Sequence, residues 1–287
     1  MKKETVKDRM PVVDVAFFLL AAVFYALSVL AYVACWIGGS RRCERIAQPA
    51  LIVAVALHGL AILLRWIQAG HAPLSNGFEA FSFYAWGLCL AYLLIPSLRR
   101  HSVLGAFITP LALISIIVAS VLPKEIKPLV PVLQSNWLPV HVGISFGAYA
   151  MFTLAFVAAV AYLLKLRSLK QPGRWLWARQ LPSLETLETL QRRTAVVGLV
   201  LMTGALVSGS LWAEKAWGIV WPWEPQQVAS LVTWFIYALY FFARHNLGWQ
   251  DQRGSWLLVG GFVMVLVTFV GADLLMLDSR HSFLFGT

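Results

Sequence analysis

Eight long apolar runs constrain this chain more than any other feature. They fall near residues 12–37, 47–69, 78–97, 103–122, 140–164, 194–212, 226–244 and 255–275. Several reach the roughly 20 apolar residues that a helix needs to cross a bilayer. The chain is 60% hydrophobic and only 13% charged. Soluble domains carry about a quarter of their residues charged. The expected fold class is therefore an all-α polytopic membrane protein with about eight transmembrane helices. There is no internal repeat, low-complexity tract or soluble domain, so residues 1–287 read as a single membrane domain. The first run lacks a small-residue cleavage site and is expected to stay as a span.

The net charge of +10 is read as topology-setting charge beside spans, not as a nucleic-acid surface. Loops after the first, third, fifth and seventh runs carry fourteen basic residues, against eight on the other side. The positive-inside rule then puts the first group in the cytoplasm and both termini outside. Lys2, Lys3, Lys7 and Arg9 run against that bias. The longest cytoplasmic loop, 165–193, carries seven basic residues with Trp175 and Trp177 among them. Its composition suits a helix lying on an anionic membrane surface; it could equally dock a partner. Cys35 and Cys43 fall at the cytoplasmic end, where thiols stay reduced. No Cys-x-x-Cys-His is present, so the chain carries no covalent haem attachment motif of its own.

Residues 212–225 form an extracytoplasmic tryptophan-rich loop in this topology. Trp212, Trp217, Trp221 and Trp223 lie within it, followed by Glu224. Tryptophans anchor helices at the membrane interface, but usually sparsely. Four indoles this close can instead form a flat apolar platform for a large planar ligand such as a porphyrin. Spacing alone leaves both readings open.

Imidazole is the usual axial ligand of haem iron. His141 opens the fifth span on the outer side, and His281 follows the eighth. His71 lies in an outer loop that turns at Asn76-Gly77 into Glu79 and the third span. Charge and hydropathy thus gather the tryptophans and two span-edge histidines on one face. His58 lies mid-membrane, seven residues before Arg65. It is read either as a hydrogen-bonded structural histidine or as a transient haem ligand, because ionisable groups at that depth are costly. His245 sits at the cytoplasmic end of the seventh span and His101 in a cytoplasmic loop.

Four segments together resemble cytochrome c assembly proteins of the CcsA/ResC type, with their tryptophan-rich WWD motif. They are His58–Trp66 running into Gly70–Glu79; Trp137–Val142 with Tyr149; Trp212–Pro225 continuing to Tyr240; and Gly248-Trp249, Phe269–Gly271 and His281-Ser-Phe. The resemblance covers about residue 47 to the C-terminus. It implies a protein that receives haem b as a transient substrate and presents it on the outer face. There it would be ligated to apocytochrome c as part of a cytochrome c haem lyase (synthase). By match, His141 and His281 are the implied iron ligands. A second membrane assembly protein of the CcsB/ResB type is an implied partner, alongside the lipid bilayer of a bacterial cytoplasmic membrane.

Two departures stand out. The family's Trp-Asp-Pro-Lys-Glu reads here Trp223-Glu224-Pro225-Gln226-Gln227, and the family histidine within span seven aligns with Phe242. His245 lies about one turn further on and could face a similar direction. Two other functions stay open on sequence: a HemX-like membrane regulator of haem synthesis, and a small-molecule transporter using His58 and Arg65.

Overall fold

The computed structural model describes residues 6–38, 41–126, 135, 137–171 and 175–271. The described residues are helical, with no strand among them, and eight helices are long and apolar enough to cross a membrane. The chain is an integral membrane protein. It packs as two compact units, Met1–Leu129 and Val130–Thr287.

In the first unit, α1 (Val6–Gly38) and α2 (Arg41–Ala69) form a long hairpin, followed by α3 (Gly77–Leu94). Asn76 caps α3: its side-chain oxygen accepts from the Glu79 N–H at 2.9 Å. That satisfies one of the free N–H groups of the first turn. The expected third span ran to residue 97, but α3 stops at Leu94, because Pro96 pushes Ile95 into extended backbone. A single turn, α4 (Pro96–Arg99), leads into α5 (Ser102–Val121). His101 lies between these two, outside the spans. Partial burial, and then the charge of Arg100, hold its imidazole below the usual pKa.

The second unit contains α6 (Trp137–Lys170), α7 (Leu184–Trp217), α8 (Pro225–Asn246) and α9 (Gln252–Leu266), the last ending in a π-helical turn, Val267–Gly271. Aromatic stacking joins them: Phe152 of α6 on Tyr237 of α8, and Phe156 of α6 on Phe262 of α9, with centroids 3.6 and 4.2 Å apart. Toward the other end, Arg244 of α8 donates to Glu188 of α7 at 2.6 Å.

The basic segment 165–193 differs from its expectation. No separate surface helix occurs among its described residues. Instead α6 continues to Lys170, a 3-10 turn spans Leu176–Gln180, and α7 already begins at Leu184. Ser183 explains that start, since its hydroxyl accepts from the Thr186 N–H at 3.2 Å. Both helices therefore run well past the apolar runs that announce them.

Candidate functional site

The site is built where the start of α6 meets the end of α7. His141 lies on the first turns of α6, with its ring stacked over Trp212 of α7 at 6.2 Å and 10°. The Nδ1 atom lies 2.9 Å from the Ala205 carbonyl oxygen. A carbonyl only accepts, so Nδ1 carries the proton and donates. In a neutral ring that leaves the lone pair on Nε2. A histidine oriented through one nitrogen, with the other left basic, is the usual arrangement of a metal-binding imidazole.

Gly209 makes room for that ring. A Cβ at this position would sit 2.8 Å from His141 Cε1 and 3.0 Å from Nδ1. Gly209→Ala is expected to push the imidazole off the Ala205 carbonyl and weaken any ligand held through Nε2. Loss of a partner of this kind costs roughly 10–100-fold in metal affinity. Titration of haem into the purified variant measures it, and an unchanged affinity would show that the ring's orientation is unimportant.

The tryptophans do not form the flat plate that one reading of their spacing allowed. Trp212 and Trp217 meet edge-to-face at 64°, and Trp221 and Trp223 at 83°. The region is also less of a loop than expected, because α7 carries Trp212 and Trp217 and closes only at Gly218. That residue adopts the left-handed cap, φ 71°, which glycine takes without penalty. Trp212 is buried, whereas Trp223 is 70% exposed. Trp223 also has φ 56°, a conformation costing a non-glycine residue on the order of 1–2 kcal/mol. The Trp221 Nε1–H is buried with no hydrogen-bond partner among the described residues.

Glu224 and Pro225 start α8. Glu224 is the N-cap, Pro225 takes the first helical position, and the Gln227 side chain accepts from the Glu224 N–H at 3.3 Å. Gln227 thus supplies the capping acceptor that a glutamate would give at this position.

The other candidate histidines lie elsewhere. His281 lies outside the described residues. His58 is fully buried in the first unit, with Nε2 2.7 Å from the Ser82 hydroxyl and Nδ1 3.4 Å from the Tyr25 hydroxyl. Arg65 is also fully committed, to Glu79, Asp14 and backbone carbonyls, so the pair offers no open transporter site. On α8, Phe242 and His245 are both exposed. His71 has Nδ1 3.1 Å from the Ala72 carbonyl and a buried Nε2 with no partner among the described residues.

Comparison with known proteins gives the same ordering of segments an independent meaning. The family model described as "Cytochrome C assembly protein" matches residues 74–277. A relative named "Cytochrome c biogenesis protein CcsA", from Prochlorococcus marinus (strain MIT 9303), is 34% identical over 290 residues. The match covers 89% of this chain and 90% of the relative. One of the same name from Synechococcus sp. (strain CC9605) is 35% identical, covering 78% and 83%. Among solved structures, "Cytochrome c Heme Lyase CcmF" shares the fold with a TM-score of 0.68 at 15% identity. That match covers 91% of this chain and 46% of the other. With the family model spanning most of the helices, and relatives this similar along nearly their whole length, the chain belongs to the cytochrome c assembly protein family.

Proposed function

We propose that this protein acts in cytochrome c maturation by binding haem b as a transient substrate. It presents the haem at the extracytoplasmic face of a bacterial cytoplasmic membrane for attachment to apocytochrome c. The observation that carries this reading is His141: its Nδ1 proton is fixed on Ala205, its ring is stacked on Trp212, and Nε2 keeps a lone pair. His141 and His281 are the proposed axial ligands, the latter from the resemblance of its His281-Ser-Phe segment, which lies past the residues 74–277 that the family model matches. Trp217, Trp221 and Trp223 would grip the macrocycle by edge contacts, and the unpartnered Trp221 N–H is a donor suited to a carboxylate. Glu224 would act indirectly, by starting α8 below the indoles.

The chain's contribution is positioning; the thioether bonds would form from the apocytochrome's own cysteines. A membrane partner of the CcsB/ResB type would supply the extracytoplasmic domain that this family usually works with. For a cytoplasmic-side ligand, the exposed His245 is better supported than His58, whose two nitrogens are already engaged.

An absorption spectrum of the protein purified from haem-replete cells tests the function. A Soret band that disappears on haem depletion is expected, and a colourless protein defeats the reading in favour of a regulator. The orientation has its own test. Alkaline phosphatase fused after residue 220 is expected to be active, and after residue 180 inactive. The opposite pattern would put the tryptophans on the wrong side for an apocytochrome.

A further inference from the structure

Four charges meet in the first unit. Arg65 is 3% exposed, and Asp14 and Glu79 are 2% exposed each. The Arg65 Nε–H donates to Glu79 Oε1 at 2.7 Å and Nη1 to Asp14 Oδ2 at 3.1 Å. Nη2 donates to the Lys124 carbonyl at 2.8 Å. The second Glu79 oxygen accepts from the Ser75 N–H and hydroxyl at 2.8 and 2.9 Å. The Lys124 ammonium and the Arg65 guanidinium both face the Phe78 ring, 5.8 and 4.9 Å from its centroid. Arg65 thus pairs with both carboxylates, while the half-buried Lys124 ammonium donates to the Ser120 carbonyl.

One hydrogen bond is missing from this cluster. Asp14 Oδ1 is buried with no partner among the described residues. Leaving such an acceptor unsatisfied in the interior is destabilising, and more so when it is charged. A cavity of about 10 Å³ adjoins it, lined by Asp14, Phe18, Arg65, Phe78, Glu79 and Ser82 among others. Ser82, another lining residue, has its hydroxyl 2.7 Å from His58 Nε2.

We propose that one water molecule occupies this cavity, donating one proton to Asp14 Oδ1 and the other to Ser82 Oγ. Size limits the occupant to about a single water. A metal cation is a poor occupant, because no cluster of three His, Cys, Asp or Glu side chains that could hold one occurs among the described residues. The orphaned acceptor requires a donor, which excludes an apolar occupant. Ser82, now accepting from the water, turns its own proton to His58 Nε2. The imidazole proton then sits on Nδ1, facing the Tyr25 hydroxyl. A continuous hydrogen-bonded chain thereby runs from Glu79 through Arg65, Asp14, the water and Ser82 to His58. Asp14 becomes a positioning residue for a ring it does not touch.

Two measurements on the full chain test this. A density map that resolves waters should show one peak within hydrogen-bond distance of both Asp14 Oδ1 and Ser82 Oγ. An empty cavity overturns the proposal, and so does a peak with the short, multiple oxygen contacts of a cation. Nitrogen-15 NMR of histidine-labelled protein should find His58 as the Nδ1–H tautomer. Asp14→Asn, which keeps the side-chain volume, should move the His58 ring signals. Finding the Nε2–H tautomer, or His58 signals indifferent to Asp14→Asn, overturns the proton arrangement.

Discussion

Replacing His141 with alanine is expected to strip most of the haem from the purified protein. Among the described residues of the site, this ring combines a fixed proton, a fixed plane and a nitrogen lone pair. Losing the ligand itself should exceed the roughly 10–100-fold penalty of losing a ligand's supporting partner. His141→Ala should therefore bind more weakly than Gly209→Ala, which keeps the imidazole but displaces it. Added imidazole should restore part of the spectrum, because a free ring can enter the vacated axial position. His281→Ala should behave in the same way if the resemblance holds at that position. Haem content and spectrum that match the wild type in both alanine variants would remove these residues as ligands.

Arg65→Leu is expected to destabilise the first unit by about 3–5 kcal/mol, the usual cost of leaving buried charges without their partner. Both Asp14 and Glu79 lose their cationic partner at once, with all three side chains at most 4% exposed. Arg244→Leu is the control. Its pair with Glu188 is equally short, but the two side chains are 17% and 27% exposed, so water can replace the lost partner. Its loss should cost on the order of 1 kcal/mol. Thermal unfolding in detergent compares the two variants. Equal shifts would mean that burial does not set the strength of the Arg65 cluster.

The spans were legible because hydropathy and helix length are the same signal in a bilayer. Their ends were less so. Residues 184–193 carry Glu185, Glu188, Arg192 and Arg193, and a polar stretch of helix leaves no trace in hydropathy. Ser183 was the readable clue, as an N-cap placed three residues before Thr186. In the site, the histidine and the tryptophans could be named from sequence, but their relation could not. His141 and Trp212 are brought together by the pairing of α6 and α7, and the stacking needs a glycine at 209 that no metal-ligand pattern singles out. The flat plate failed because indoles at helical and turn positions point in directions set by the backbone. Edge-to-face contacts, with the ring edge positive and the face negative, are then the favoured meeting. The paired state of Arg65 was invisible for a related reason: Asp14, its second carboxylate, lies 51 residues away.

The closed bonding of His58 changes how a common experiment has to be interpreted. An alanine there leaves the Ser82 and Tyr25 hydroxyls facing a hole in the seam where α1, α2 and α3 meet. Phe18 and Tyr25 also lose the ring edge they pack against. A strain carrying that substitution could fail to mature cytochromes while every proposed iron ligand stayed intact, simply because less folded protein reaches the membrane. Cell-based activity at this position reports protein abundance first. Only haem content per folded molecule separates a broken seam from a lost ligand.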